Sequence, residues 1–162
     1  MNSLLQDLLA HQAWADAEHW RAIELHAPAR EDQAIHDRLH HIHQVQRLFI
    51  WAVGERKTEF AFSKPEDFKT FDDLNRYARG SHSEIDRFVS YVTDARLSDK
   101  LTFSWFKDPP LVISVSEALN AMCDAQPMAS WAKRYPVARL GGEPRPVDLI
   151  VWFWKGRPAP QW

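Results

Sequence analysis

Residues 31–54 read EDQAIHDRLHHIHQVQRLFIWAVG, and this stretch decides the fold. Its apolar residues Ile35, Leu39, Ile42, Val45, Leu48, Phe49, Ala52 and Val53 recur at intervals of three and four. That is the period of one face of an α-helix; a half-buried strand would alternate every second residue. Gly54 supplies a stop, so the spacing predicts a helix from Glu31 to Val53. On that wheel the apolar arc, taken to include Ala34, encloses His41 beside Val45 and Leu48, while His36, His40 and His43 fall opposite. The outward trio is aligned at spacings of four and three residues, but it reads as a solvated polar face. Inward His41 reads either as a core histidine hydrogen-bonded to a backbone or side chain or as a metal ligand, since bundle metal sites are built from side chains that enter the core from facing helices.

Working outward, Leu5, Leu8, Leu9, Gln12, Trp20 and Ile23 share one face of an earlier helix from about Ser3 to Leu25, ended by Ala27-Pro28-Ala29-Arg30. After the second helix, a polar stretch through Ser63-Lys64-Pro65 reads as a loop. Thr70-Phe71-Asp72-Asp73 reads as an N-cap with acidic residues in the first turn of a third helix. That helix runs to about Val92 with Leu74, Tyr77, Ile85, Phe88 and Val92 inward. Gly80 weakens it by about 1 kcal/mol relative to alanine. Residues 100–113 form either a short hairpin or an extended crossing, with Asp108-Pro109-Pro110 at the bend. Ser114-Val115-Ser116-Glu117 is a capping box for a fourth helix, whose inward face carries Val115, Ala118, Leu119, Met122, Ala125, Gln126, Ala129 and Ala132. Pro127 and Pro136 predict a kink or an early end, and Asp148 caps a short last helix from Leu149 to Trp154. The expectation is an all-α protein: one domain over residues 1–162, a four-helix up-down bundle with a short C-terminal helix.

Composition narrows the function classes. The chain has 162 residues, 45% hydrophobic and 26% charged, which excludes a disordered polymer. Its net charge of −2, with acids and bases mixed, lacks the basic stripe that nucleic-acid binding requires. A single cysteine excludes an internal disulfide and fits a reducing compartment. The opening Met-Asn-Ser-Leu-Leu-Gln-Asp lacks the basic start of a signal peptide. The longest apolar run, Leu149 to Trp154, is too short to span a bilayer. A soluble cytoplasmic protein is expected, without a membrane or nucleic-acid partner. Of the eight histidines, all but His82 fall within the first 43 residues. His82 and His19 sit at the edges of apolar faces, and they read as structural, as do His11, His26 and Cys123.

Three segments together resemble the DinB-like (YfiT-like) helical-bundle family. They are Leu9-Ala10-His11-Gln12-Ala13-Trp14-Ala15-Asp16, then Leu39-His40-His41-Ile42 with Arg47-Leu48-Phe49, then Leu140-Gly141-Gly142-Glu143-Pro144 leading to Val147-Asp148-Leu149-Ile150-Val151-Trp152. The resemblance implies an up-down bundle, often dimeric, and a divalent metal such as zinc or nickel held by three histidines. Some members use it for thiol-dependent transferase or isomerase chemistry. The family's first histidine lands on His41. The second and third land on Ala125 and Ala129, or on Gln126 and Ser130 in the shifted register, and the family's Arg-Gly-Gln is absent as well.

A lone imidazole cannot hold a catalytic divalent ion, which takes three protein ligands and an open position. The expectation is therefore a DinB-like protein of unassigned activity without the usual three-histidine centre. It would bind a small molecule in a pocket near Met122, Ala125, Gln126, Ala129 and Trp131, or act through homodimerisation with the Trp-rich C-terminal segment as an interface. The alternative is a divalent-metal enzyme of thiol-transferase or hydrolase type, with His41 in a rearranged site beside His11, His82, Asp124 or Gln126.

Overall fold

The computed structural model describes residues 3–103, 108–124 and 156–162, and these are mostly helical with one small sheet. The long helices are α1 (Ser3–Glu24), α3 (Gln33–Val53) and α4 (Phe71–Tyr91). Shorter ones are α2 (Ala27–Arg30), α5 (Asp94–Ser98) and α6 (Val115–Asp124), with a 3₁₀ turn over Pro65–Asp67. Strands β1 (Lys100–Phe103) and β2 (Leu111–Ser114) pair antiparallel, with Leu101 opposite Ile113. No helix among the described residues is long and apolar enough to cross a membrane.

Helix starts follow local chemistry. Asp32 caps α3 by accepting from the Ile35 N–H at 2.9 Å. At α4, Thr70 Oγ1 accepts from the Asp73 N–H while Asp73 accepts from the Thr70 N–H, a reciprocal box that satisfies two otherwise orphaned donors. Ser114 and Glu117 repeat the box at α6. Gly54 ends α3 with φ −77, outside the left-handed region, and its N–H donates to the Ile50 and Trp51 carbonyls. A Cβ there would stand only 3.2 Å from the Ile50 oxygen.

The contacts between helices give their directions. Asp16 and Trp20 of α1 meet Gln46 and His43 of α3, so these helices are antiparallel. His40, His43 and Arg47 of α3 meet Tyr77, His82 and Glu84 of α4 in rising order, so α3 and α4 are parallel. This corrects the strict up-down alternation expected from the sequence. A 21-residue helix is about 32 Å long, a span that roughly ten extended residues cover. Residues 54–70 are more than that, and they return the chain so that α4 starts at the same end as α3.

Among the described residues, two apolar clusters form the core. One holds Leu5, Leu9, Ile50, Val53, Ile85, Phe88, Val115, Leu119 and Met122 together with Leu101 and Phe103 of the hairpin. The other holds Trp20, Ile23, Ile35, Leu39, Ile42, Leu74 and Ala78. Between them, at one level of α1, α3 and α4, lies a buried polar layer of Gln12, Asp16, His43, Gln46, Ser81 and His82.

Gly80 lies directly beside the Arg47 side chain, which gives the glycine a packing reason. The Arg47 guanidinium lies over the Tyr77 ring at 4.4 Å, donates to the Tyr77 carbonyl at 3.1 Å and pairs with Glu84. An alanine Cβ at position 80 would collide with Arg47 Nη2. Gly80→Ala is therefore expected to lower stability by about 1 kcal/mol, lost charged hydrogen bonds exceeding the gain in helix propensity. Urea denaturation measures this; a raised midpoint would show that the guanidinium relocates freely.

Candidate metal centre

Asp16, His43 and His82 come from three different helices, and one ligand atom from each lies within 4.8 Å of the others. All three are buried. Helical spacing explains the convergence. Gln12, Asp16 and Trp20 are each four residues apart on α1, and His43 and Gln46 fall three apart on α3, facing it. On α4, His82 lies one turn beyond Ala78 and before Ile85, in the buried stripe.

The carboxylate is the hub. Asp16 Oδ1 accepts from the Gln12 amide at 2.9 Å. Oδ2 accepts from Gln46 at 2.8 Å and meets His82 Nε2 at 3.0 Å. The Trp20 indole N–H donates to His43 Nε2 at 3.0 Å, so that nitrogen is the acceptor and the His43 proton sits on Nδ1. Nδ1 then donates to Gln46 Oε1 at 2.7 Å. The chain of donors runs from Trp20 through His43 and Gln46 to Asp16.

Burial alone would raise the Asp16 pKa. The His82 hydrogen bond and charge, the His43 charge and the Gln46 amide overcome it, and hold the carboxyl at about 2. Asp16 is thus a buried anion, and His82 Nε2 is the titratable group that meets it at hydrogen-bond distance. Burial pushes His43 down from 6.5 to about 4 against the opposing pull of Asp16. The neutral imidazole that results is the form that ligates metals. His19, next to Asp16 on the α1 face, is also lowered to about 4 by burial, and its Nε2 has no hydrogen-bond partner among the described residues.

These shifts fix a pH dependence. Between pH 6.5 and about 4 the unfolded chain binds protons that His19 and His43 refuse in the folded state. Stability is therefore expected to decrease as the pH is lowered through this window, with a slope approaching two protons, about 3 kcal/mol per pH unit. The Asp16 contribution is complete above 3.8 and is lost as pH falls towards 2. Urea midpoints of chelator-treated protein from pH 7 to 5 measure the histidine part; a flat profile would contradict it.

The structure distributes the sequence candidates differently from the expectation. His41 is exposed, on the far side of α3 from the layer, which corrects its inward placement. His43, expected outside, is fully buried. His40 is buried too, bonded to Ser63 Oγ at 2.9 Å and lying against Phe68 and Tyr77. The reason is that buried polar residues rotate the apparent apolar arc. Ile35, Leu39, Ile42, Ile50 and Val53 mark the true seam, with His43 and Gln46 inside it. Val45, Leu48 and Phe49, which drew the arc towards His41, are only half-buried.

Met122 is fully buried in an apolar cluster and borders neither of two open surface clefts, one beside Trp51 and Phe60, the other beside His36 and Phe71. The remaining expected pocket positions, Ala125, Gln126, Ala129 and Trp131, lie outside the described residues, as does the expected helix Leu149–Trp154. Cys123 is half-buried. The sequence reading gave no role to Asp16 or Gln46. Their signal was an interruption of an apolar stripe by a residue able to hydrogen-bond across it.

No family model, no curated protein and no solved structure matches this chain.

Proposed function

We propose that the chain is a DinB-like four-helix-bundle protein whose divalent-metal site lies in the α1–α3–α4 layer, on Asp16, His43 and His82. The observation that carries this reading is the convergence of one carboxylate and two imidazoles, all buried, within 4.8 Å. A buried carboxylate needs a compensating cation or a full set of hydrogen bonds, and a divalent ion supplies the charge. Two neutral imidazoles and a carboxylate suit zinc or nickel and leave coordination positions open for a small-molecule ligand. The activity class that fits is a metal-dependent enzyme of hydrolase or thiol-transferase type. The proposal takes a homodimer as the assembled form.

A second reading rests on the closed hydrogen bonding of His43, whose two nitrogens are already engaged by Trp20 and Gln46. In that reading the layer is a satisfied polar network that fixes helix register, and no ion enters. Metal content decides between them. Untagged protein equilibrated with zinc, then gel-filtered, is expected to retain one ion per chain, and Asp16→Asn to retain none. No retained zinc in the wild type, or equal retention in both, supports the polar network.

A further inference from the structure

The connection between α3 and α4 brings Ser63 against both helices. Its N–H donates to Gln44 Oε1 at 2.9 Å. One residue later, the Lys64 N–H donates to the Asp67 carboxylate at 2.8 Å and opens the 3₁₀ turn. The backbone at Ser63 is therefore anchored without help from its side chain. That side chain has other company: Oγ lies 2.9 Å from His40 Nε2, 3.1 Å from Gln44 Oε1 and 3.3 Å from the Tyr77 hydroxyl.

A serine Oγ carries one proton, and here it has three partners. Gln44 Oε1 already accepts from the Ser63 N–H, and Tyr77 has a proton of its own to give. The Oγ proton is free for His40 Nε2, the shortest of the three contacts. The His40 ring packs against Phe68 at 5.4 Å and Tyr77 at 6.0 Å, which fixes its orientation. Burial, and then the charges of His36 and His41, lower the His40 pKa against the pull of Asp67 and Asp37. The imidazole is thus neutral at pH 7 and able to take a proton. Ser63 is half-buried and stands between the two surface clefts. Phe62 lines the one with Trp51 and Phe60, and Pro65 the one with His36.

We infer that Ser63 and His40 form a nucleophile–base pair that hydrolyses small esters with an apolar or aromatic acyl group, at a site separate from the Asp16–His43–His82 layer. The substrate class follows from the neighbouring cleft of about 570 Å³, whose walls include Trp51, Phe60 and Phe62. Oγ bonds to the ester carbonyl carbon while its proton passes to His40 Nε2. The ester C–O bond then breaks, and Nε2 returns the proton to the leaving alcohol. Water attacks the acylated Ser63 and gives a proton to Nε2; Oγ recovers that proton as the acid leaves. The Tyr77 hydroxyl is placed to donate to the oxyanion formed in each step.

The probe is an alkyl fluorophosphonate, which phosphonylates an activated serine with loss of fluoride. It is applied to the whole, EDTA-treated chain, and peptide mass spectrometry follows each serine with time. Ser83 and Ser90 are internal references: both are exposed, and their hydroxyls donate to the Arg79 and Arg87 carbonyls. Ser63 is expected to react roughly 100-fold faster than either, the lower end of what a positioned general base contributes. His40→Gln, which keeps a polar partner without a base, is expected to slow Ser63 by about the same factor. A wild-type Ser63 no faster than Ser83 and Ser90 overturns the pair, whether or not His40→Gln folds. So does an unchanged Ser63 rate in folded His40→Gln. The measurement uses no zinc, so its outcome stands apart from that of the metal centre.

Discussion

Asp16→Ala is expected to cost about 4 kcal/mol of stability, a large part of what a domain of this size possesses. The carboxylate accepts from Gln12 and Gln46 and pairs with His82, and each of these is itself buried. Removing the acceptor strands three polar groups in a dry interior, where each unsatisfied donor costs about 1–3 kcal/mol. Alanine also leaves a void between two apolar clusters. Asp16→Asn keeps the shape and one acceptor oxygen, so its fold is expected to survive with a smaller loss, while its zinc affinity falls with the lost charge. Urea denaturation of both variants measures the difference. Equal stability of Asp16→Ala and wild type would show that the layer is not a connected unit.

The second large effect separates two neighbouring histidines. His43→Ala is expected to cost about 3 kcal/mol or more, because it opens a cavity and orphans the Trp20 indole N–H and the Gln46 carbonyl. It is also expected to abolish zinc retention. His41→Ala, at an exposed position, is expected to change stability by less than about 0.5 kcal/mol and to retain zinc. Zinc loss in His41→Ala with retention in His43→Ala would place the site where the apolar arc alone suggested it.

That pair of variants shows how far the sequence could be read. Helix starts were legible wherever the cap is local: Thr70 with Asp73 and Ser114 with Glu117 form in the structure as their spacing predicts. The antiparallel pairing of β1 with β2 was legible as one of two alternatives. The rotation of α3 was not. A wheel whose arc is drawn from the apolar residues of α3 alone, Val45, Leu48 and Phe49 among them, cannot find a seam whose middle is His43 and Gln46. The strict recurrence of Ile35, Leu39, Ile42, Ile50 and Val53 holds that information once polar residues are allowed inside. The parallel run of α3 and α4 was hidden for a different reason. Residues 54–70 read correctly as a connection, but the distance such a connection travels is set by packing at both its ends. Asp16 sits among Ala15, Ala17 and Trp20, with no Lys or Arg within four residues on its helix. Its role depends on His82 and Gln46, which are brought to it only by the fold.

X-ray absorption at the zinc K-edge of untagged, zinc-loaded protein tests the central claim most directly. The account predicts a shell of nitrogen and oxygen near 2.0–2.1 Å with the outer scattering of two imidazoles and no sulfur at about 2.3 Å. A sulfur neighbour, an all-oxygen shell without imidazole scattering, or protein that cannot be loaded would contradict it.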